Sequence, residues 1–180
     1  MADNAILKTP RLRLSTFSGA DAGDLYALHC DEGVNRFLAS HEAIRTREDA
    51  EQRLLDYIEG QDHRGFSQWK ATLHDGGFAG RAGFSVYPET SEVALSICLK
   101  PHLWGKGYAS ELAGALVTWF FENTYFTHLI AFVAAGNDPA RRMVEGIGFS
   151  QRQRTVIDGN AFDCLQVLSP ALARYARASA

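Results

Sequence analysis

Hydrophobic and polar residues alternate along several short stretches of the chain, which is the spacing of a β-strand with one buried face. The stretch Arg11–Phe17 shows this first, because Leu12 and Leu14 fall on the side opposite to the arginines. His128–Ala134 is instead almost continuously apolar, which is typical of a strand buried on both faces. These patterns predict strands at 11–17, 66–73, 78–87, 92–99, 128–134, 149–157 and 161–168.

Apolar residues spaced three and four positions apart predict helices between these strands. The predicted helices fall at 20–29, 47–59, 108–123 and 139–145, with a helical turn near 34–38 and a short helix or disorder over 170–180. Gly60 is expected to end the second helix. No linker or shift in composition divides the chain, so we expect a single domain over 1–180, of mixed α+β class.

A glycine-rich turn joins the strand that ends at Leu99 to the helix that begins at Tyr108. Gly105 and Gly107 lie in this turn, on either side of Lys106. The first N–H groups of a helix have no partner within the helix, and the helix dipole adds partial positive charge there. The turn is therefore a candidate anion site, and a pyrophosphate is the anion that we expect.

Charge and cysteine content narrow the class of protein. The net charge of −3 argues against a nucleic-acid-binding protein, which is usually basic. Cys30, Cys98 and Cys164 lie far apart, so neither a disulfide framework nor a metal site is expected. The N-terminal segment lacks the pattern of a signal peptide, and the apolar run 113–121 is too short to cross a membrane. We expect a cytoplasmic protein with no nucleic-acid or membrane partner.

Several groups of residues, taken in order, resemble the GCN5-related N-acetyltransferase (GNAT) family, and most closely its ribosomal-protein-alanine N-acetyltransferase branch. They are TPRLRL at 9–14, SEV at 91–93, WGKGYASE at 104–111, NDPA at 137–140 and EGIGF at 145–149. Gly107 and Ala109 match the last two fixed positions of the family's pyrophosphate motif, whereas Trp104 replaces its first residue, glutamine or arginine. The resemblance implies a mostly antiparallel sheet of about seven strands, splayed at its two parallel central strands and flanked by helices.

The resemblance also implies acetyl-CoA as co-substrate. Its pyrophosphate is expected at the turn, and its pantetheine arm along the strand before the turn, with a hydrogen bond from Asn137. Arg142 is a candidate for the 3′-phosphate, although it could equally face water. The residues expected to contact acetyl-CoA are Ile97, Cys98, Leu99, Trp104, Gly105, Lys106, Gly107, Tyr108, Ala109, Ser110, Asn137 and Arg142.

The activity implied is acetyl transfer to a primary amine by direct attack on the thioester. The backbone N–H of Leu99 is expected to polarise the thioester carbonyl. Glu92 is the first candidate for the base, acting directly or through water, and the alternative is a solvated charge after a turn. Tyr108 or a water is a candidate to protonate the departing thiolate, because RRMV at 141–144 lacks the tyrosine that many relatives carry there.

The acceptor is expected to be a protein N-terminus or a small-molecule amine. Phe37 and His41 are expected to wall its groove on one side, and the hairpin at 158–160 on the other. A monomer or a homodimer is compatible with the sequence. The alternative function is a catalytically weak or inactive acyl-CoA-binding module on the same fold. A dinucleotide-binding site fits poorly, because Ser110 replaces the third glycine of that motif.

Overall fold

The computed structural model describes residues 5–39 and 42–178, which form one mixed sheet with helices on both faces. The strands of this part of the chain are β1 (Ala5–Lys8), β2 (Leu12–Ser15), β3 (Gln68–Leu73), β4 (Phe78–Val86), β5 (Val93–Leu99), β6 (His128–Ala134), β7 (Ser150–Ile157) and β8 (Asn160–Leu168). The helices are α1 (Ala22–His29), α2 (Glu32–Asn35), α3 (Arg47–Arg64), α4 (Tyr108–Asn123), α5 (Asp138–Gly146) and α6 (Pro170–Ala178).

The strand order across the sheet is β1-β2-β3-β4-β5-β6-β8-β7. Neighbouring strands are antiparallel except β5 and β6, which run parallel. This confirms the predicted fold class, with eight strands in the described residues where about seven were predicted. The additional strand is β1, in which Leu7 pairs with Leu14 of β2. Its four residues are too short a run to show an alternating pattern, so the pairing with β2 defines it.

The two faces of the sheet carry different helices and different cores. Helices α4 and α5 cover the face that we call the α4 face, where Leu116 and Phe120 pack against Trp69 and Phe84 in the larger core. Helices α1 and α2 cover the opposite face, which we call the α1 face, with α3 packed against α1. Side chains alternate between the faces along each strand, so β5 contributes to both cores.

Helix α3 is longer than its apolar pattern predicts. Thr46 caps its start, where the hydroxyl accepts a hydrogen bond from the N–H of Asp49 at 3.0 Å. The predicted end at Gly60 is wrong, because the helix continues to Arg64. Gly60 is buried, and a Cβ added there would lie 2.8 Å from the hydroxyl oxygen of Ser67. The glycine therefore lies where the helix packs closely on the chain that enters β3, and not at the end of the helix.

Candidate active site

The two parallel strands β5 and β6 open a gap in the sheet. The two strands pair at Ala94 and Ile130, near the start of β5. Among the described residues, no further pairing between them is found toward Leu99. The N–H of Lys100 donates to the carbonyl of Ala79 on the other side of β5, at 2.9 Å. Backbone groups alternate in direction along a strand. The N–H groups of Ile97 and Leu99 therefore point away from β4 and into the gap.

A cavity of about 850 Å³ passes through this gap. On the α4 face its wall includes the glycine-rich turn and the first turn of α4, with Ala140 and Met143 of α5. On the α1 face the wall includes Phe37, Gln68, Arg81 and Ser96. The cavity thus joins the candidate anion site on the α4 face to a partly polar chamber on the α1 face, with the open edge of β5 between them. A long ligand and a second ligand could meet at this edge.

The glycine-rich turn has the geometry of an anion site. Gly105 and Gly107 have φ angles of +70° and +79°, a region that L-residues with side chains rarely adopt. Gly107 is the N-cap of α4 and has no side chain to accept from the first N–H groups of the helix. Tyr108, Ala109 and Ser110, the residues that carry these groups, lie on the cavity wall. Their N–H groups can bind an anionic ligand.

Arg11 holds the turn in place, which the sequence pattern did not indicate. Its Nε lies 2.6 Å from Oε2 of Glu111, and its backbone N–H donates to Oε1 of the same carboxylate at 2.9 Å. Its Nη1 donates to the carbonyl of Lys106 at 2.9 Å, and its guanidinium carbon lies 4.1 Å from the ring centre of Tyr108. One side chain from the other end of the sheet therefore contacts both the turn and the first residues of α4.

Trp104 fills a structural position next to the turn. Its indole N–H donates to the carbonyl of Leu99 at 2.8 Å, so it satisfies the last outward-facing carbonyl of β5. The ring lies against α2, where a Cβ added to Gly33 would meet it at 3.3 Å. The side chain is about half exposed and lies on the cavity wall. The residue that departs from the family motif thus connects β5, the turn and α2.

Asn137 lies on the cavity wall at the start of α5. Its side-chain oxygen accepts a hydrogen bond from the N–H of Ala140 at 3.3 Å, so Asn137 is the N-cap of the helix. Asp138 is the first residue of the helix itself. Because the oxygen is used for capping, the amide nitrogen is the part of the side chain that could donate to a ligand.

Two residues expected to contact the co-substrate lie apart from the cavity wall. Arg142 is exposed on α5, and the side chain of Lys106 is exposed on the turn. Cys98, by contrast, lies on the wall but is buried between Leu28 and Val34. Burial raises the pKa of its thiol, which keeps the group protonated and favours a structural role.

Glu92 lies outside the cavity wall, immediately before β5. Its carboxylate accepts from Nε2 of His128 at 2.7 Å and forms an ion pair with Arg152 of β7. Burial raises the pKa of Glu92, but these hydrogen bonds outweigh burial and lower it to about 2. A carboxylate held by two basic groups is a poor proton acceptor. Its geometry is that of a link between β5, β6 and β7, and it gives the predicted base no support.

The residues expected to wall the acceptor groove are partly described. Phe37 lies on the cavity wall after α2, and His41 lies outside the described residues. The last hairpin contributes Ile157 and Phe162, which flank the predicted turn at 158–160. These positions place the expected groove on the α1 face of the gap.

A buried polar group on the α1 face was missed by the sequence patterns. Arg81 of β4 is 1% exposed and donates to Gln68 and Ser96 on the strands at either side. It also donates to His29 of α1. The sequence offered one indication of this group. Arg81 is a charged residue in the otherwise uncharged strand FAGRAGFSV, and a charged side chain is rarely buried without partners.

The described residues contain no group of three or more histidine, cysteine or acidic side chains placed to hold a metal ion. None of the described helices has the length and hydropathy needed to cross a membrane.

Comparison with known proteins identifies the family. Residues 11–150 match the family model described as "Acetyltransferase (GNAT) domain". A comparison with curated proteins finds no match. Among solved structures, a GNAT-family acetyltransferase from Bacillus anthracis is similar with a TM-score of 0.76 and 20% identity, covering 91% of this chain and 98% of its own.

Two further similar structures are ribosomal-protein acetyltransferases. The RimL ribosomal L7/L12 alpha-N-protein acetyltransferase in complex with coenzyme A has a TM-score of 0.76 and 14% identity, covering 93% of this chain and 99% of its own. The ribosomal-protein-S5-alanine acetyltransferase from Vibrio fischeri has a TM-score of 0.72 and 15% identity, covering 91% and 96%. At these identities the likeness concerns the fold. The family-model match over most of the chain establishes that this protein belongs to the GNAT acetyltransferase family, as an acyl-CoA-dependent N-acetyltransferase whose co-substrate is acetyl-CoA.

Proposed function

We propose that this protein transfers the acetyl group of acetyl-CoA to a primary amine by direct attack, in the gap between β5 and β6. The observation that supports this most is the cavity that runs from the first turn of α4 to the α1 face, past the open edge of β5. Its wall includes residues on both faces of the sheet, which suits two ligands that approach from opposite faces. The acceptor class includes protein N-termini and small amines.

In this proposal the pyrophosphate of acetyl-CoA binds the N–H groups at the start of α4. The pantetheine arm runs beside Ile97 and Leu99, whose N–H groups point into the gap, and receives a hydrogen bond from Asn137. The thioester carbonyl accepts from the Leu99 N–H, which stabilises the negative charge that develops on oxygen during attack. Arg142, which is exposed on α5, stays a candidate for the 3′-phosphate.

The amine enters from the α1 face as the neutral species, because apolar surroundings such as Phe37, Leu38 and Phe132 disfavour an ammonium ion. The new carbon–nitrogen bond forms while the carbon–sulfur bond breaks. The amine loses one proton and the thiolate of CoA gains one. Tyr108 is the proposed donor to the thiolate, since it lies on the cavity wall at the start of α4. We assign no base, because Glu92 is engaged by Arg152 and His128.

The activity is tested by release of CoA thiol from acetyl-CoA with N-terminal peptides, lysine peptides and small amines, and by mass spectrometry of the products. Peptides that begin with alanine form the first set, because one similar structure is a ribosomal-protein-S5-alanine acetyltransferase. Acetylation of at least one amine supports the proposal. Tight binding of acetyl-CoA without thiol release on any acceptor would favour the alternative, an acyl-CoA-binding module.

The position of the pyrophosphate has its own test. Ser110→Glu places a carboxylate in the first turn of α4, where it suits the helix dipole but repels a bound pyrophosphate. We expect a normal melting temperature and an increase in the Kd for acetyl-CoA of about tenfold or more, which is about 1.4 kcal/mol. Ser150→Glu is the matched control, because Ser150 is exposed on β7 and lies off the cavity wall. Equal affinity in the two variants would place the pyrophosphate elsewhere.

A further inference from the structure

The α1-face chamber contains a buried guanidinium with an unusual set of partners. Nε of Arg81 points to Nε2 of His29 at 3.4 Å, and Nη1 donates to Oε1 of Gln68 at 3.2 Å and to Oγ of Ser96 at 3.0 Å. All three acceptors are neutral groups, since burial and the charge of Arg81 lower the pKa of His29 to about 4. The hydrogen bonds therefore position the guanidinium without neutralising it.

The ion pair that the described residues give Arg81 is long. Oε1 of Glu42 lies 3.9 Å from Nη2, which is beyond hydrogen-bond distance. Burying a charge is costly unless the charge is both paired and hydrogen-bonded. Among the described residues, the ion pair with Glu42 thus leaves Nη2 without a carboxylate at hydrogen-bond distance, and a ligand carboxylate can supply that acceptor.

Gln68 supplies a second donor next to this guanidinium. It is 3% exposed, and its Nε2 has no hydrogen-bond partner among the described residues. The amide orientation is fixed, because Oε1 accepts from Arg81. A buried polar atom without a partner costs about 1–3 kcal/mol, and such atoms are rare in proteins. Both Gln68 and Arg81 lie on the cavity wall, and both present donors.

We propose that the amine acceptor also carries a carboxylate, which Arg81 and Gln68 bind through Nη2 and Nε2 at the base of the α1-face chamber. This inference rests on the proposed acetyl transfer and narrows its substrate class. A planar carboxylate has two acceptor oxygens, which suits one donor from each side chain. The carboxylate is either the α-carboxylate of a free amino acid or an acidic side chain near the N-terminus of a peptide.

The test compares acceptors of matched size, in which one member of each pair carries a carboxylate and the other an amide. Alanine is paired with alaninamide, and the amidated dipeptide Ala-Glu with Ala-Gln, and kcat/KM is measured for each. We expect the wild-type protein to prefer the carboxylate in at least one pair by about 10- to 100-fold, the range given by a hydrogen bond to a charged group. The pair that shows the preference identifies the source of the carboxylate. Equal kcat/KM within both pairs would overturn the inference and leave acetyl transfer intact.

Gln68→Glu is the decisive variant. The fold should be retained, because glutamate has the size of glutamine and its carboxylate can pair with Arg81. The same carboxylate occupies the position proposed for the ligand's carboxylate. We expect the preference for the carboxylate acceptor to fall by at least tenfold, while the Kd for acetyl-CoA is unchanged. Gln68→Met should give a smaller loss, because only one donor is removed. A preference that survives in both variants would contradict the proposal.

Arg47→Met is the matched control, because it removes a positive charge from an exposed position on α3 that is not on the cavity wall. It should leave the preference as in the wild-type protein.

If no amine is acetylated, the binding of acetylated products tests the carboxylate site separately from the proposed acetyl transfer. Tighter binding of N-acetylalanine than of N-acetylalaninamide, lost in Gln68→Glu, would support the carboxylate site although acetyl transfer had failed. Equal binding of the two products would overturn it.

Discussion

The guanidinium Nε of Arg11 lies 2.6 Å from Oε2 of Glu111, although the two residues are 100 positions apart in the chain. Arg11 precedes β2, and Glu111 lies in the first turn of α4. The same arginine reaches the carbonyl of Lys106 in the glycine-rich turn. The geometry of the proposed pyrophosphate site therefore depends on a side chain from the other end of the sheet.

Removing this link should affect both stability and co-substrate binding. We expect Arg11→Met to lower the free energy of unfolding by about 1–2 kcal/mol, because it breaks one charge-assisted contact with the partly buried Glu111 carboxylate and one with the carbonyl of Lys106. The Kd for acetyl-CoA should rise several-fold as the turn loosens. Denaturant unfolding and calorimetric titration measure the two effects.

A double-mutant cycle with Glu111→Gln gives the control for this prediction. The two substitutions should couple by about 1 kcal/mol, since residues in direct contact are not additive. Arg47→Met, which breaks an exposed pair with Glu51, should cost less than about 0.5 kcal/mol. Additive effects of Arg11→Met and Glu111→Gln would show that the contact does not stabilise the turn.

Glu92→Gln separates a structural from a catalytic role for this carboxylate. We expect a lower melting temperature, because Arg152 and His128 both lose their charged partner. We expect kcat to stay within about twofold of the wild type at neutral pH, since the carboxylate lies off the cavity wall.

The acid dependence of stability supplies a second readout for the same variant. The folded-state pKa of Glu92 is about 2, below its ordinary value of 4.5. Its contribution is therefore fully present above pH 4.5 and is lost as pH falls from 4.5 toward 2. The variant should show a weaker loss of stability over this range. A large drop in kcat with an unchanged melting temperature would instead restore Glu92 as the base.

His29 should make the free energy of unfolding depend on pH in a higher pH range than Glu92 does. Burial and the charge of Arg81 lower its folded-state pKa from 6.5 to about 4. The unfolded chain then binds more protons between these values, so stability is complete above pH 6.5 and declines as pH falls toward 4. His29→Gln should flatten the curve of unfolding free energy in this window. An unchanged slope between pH 6.5 and 4 would contradict the lowered pKa.

Gly114 offers a stabilising substitution away from the proposed site. It lies in the interior of α4, and a Cβ added there meets no atom of the described residues within 4 Å. Gly114→Ala should raise the free energy of unfolding by about 0.5–1 kcal/mol, because alanine favours the helix. Acetyl-CoA binding should be unchanged. A decrease in stability would indicate a neighbour that the helix meets in solution.

The sequence by itself determined most of the strands and helices, the family and the position of the glycine-rich turn. Hydrophobic patterns, alternating or continuous, predicted seven of the eight described strands, and the glycines at 105 and 107 predicted the turn, because such signals depend on neighbours in the chain. The family resemblance was confirmed by the match over residues 11–150. The single domain over 1–180 and the roles of the individual site residues stay predictions.

Tertiary structure decided which charges lie together. Glu92 looked like a free carboxylate in the sequence, yet residues 36 and 60 positions away engage it. Arg11 looked like an exposed strand residue, and Arg81 was one residue of a strand. Ion pairs and buried donors join strands and helices that are distant in sequence, and their partners depend on register and packing rather than on local pattern. For this reason the sequence located the glycine-rich turn, whereas only the fold brought Arg11 into contact with that turn. The fold also placed Arg81 next to Gln68 in the chamber on the α1 face.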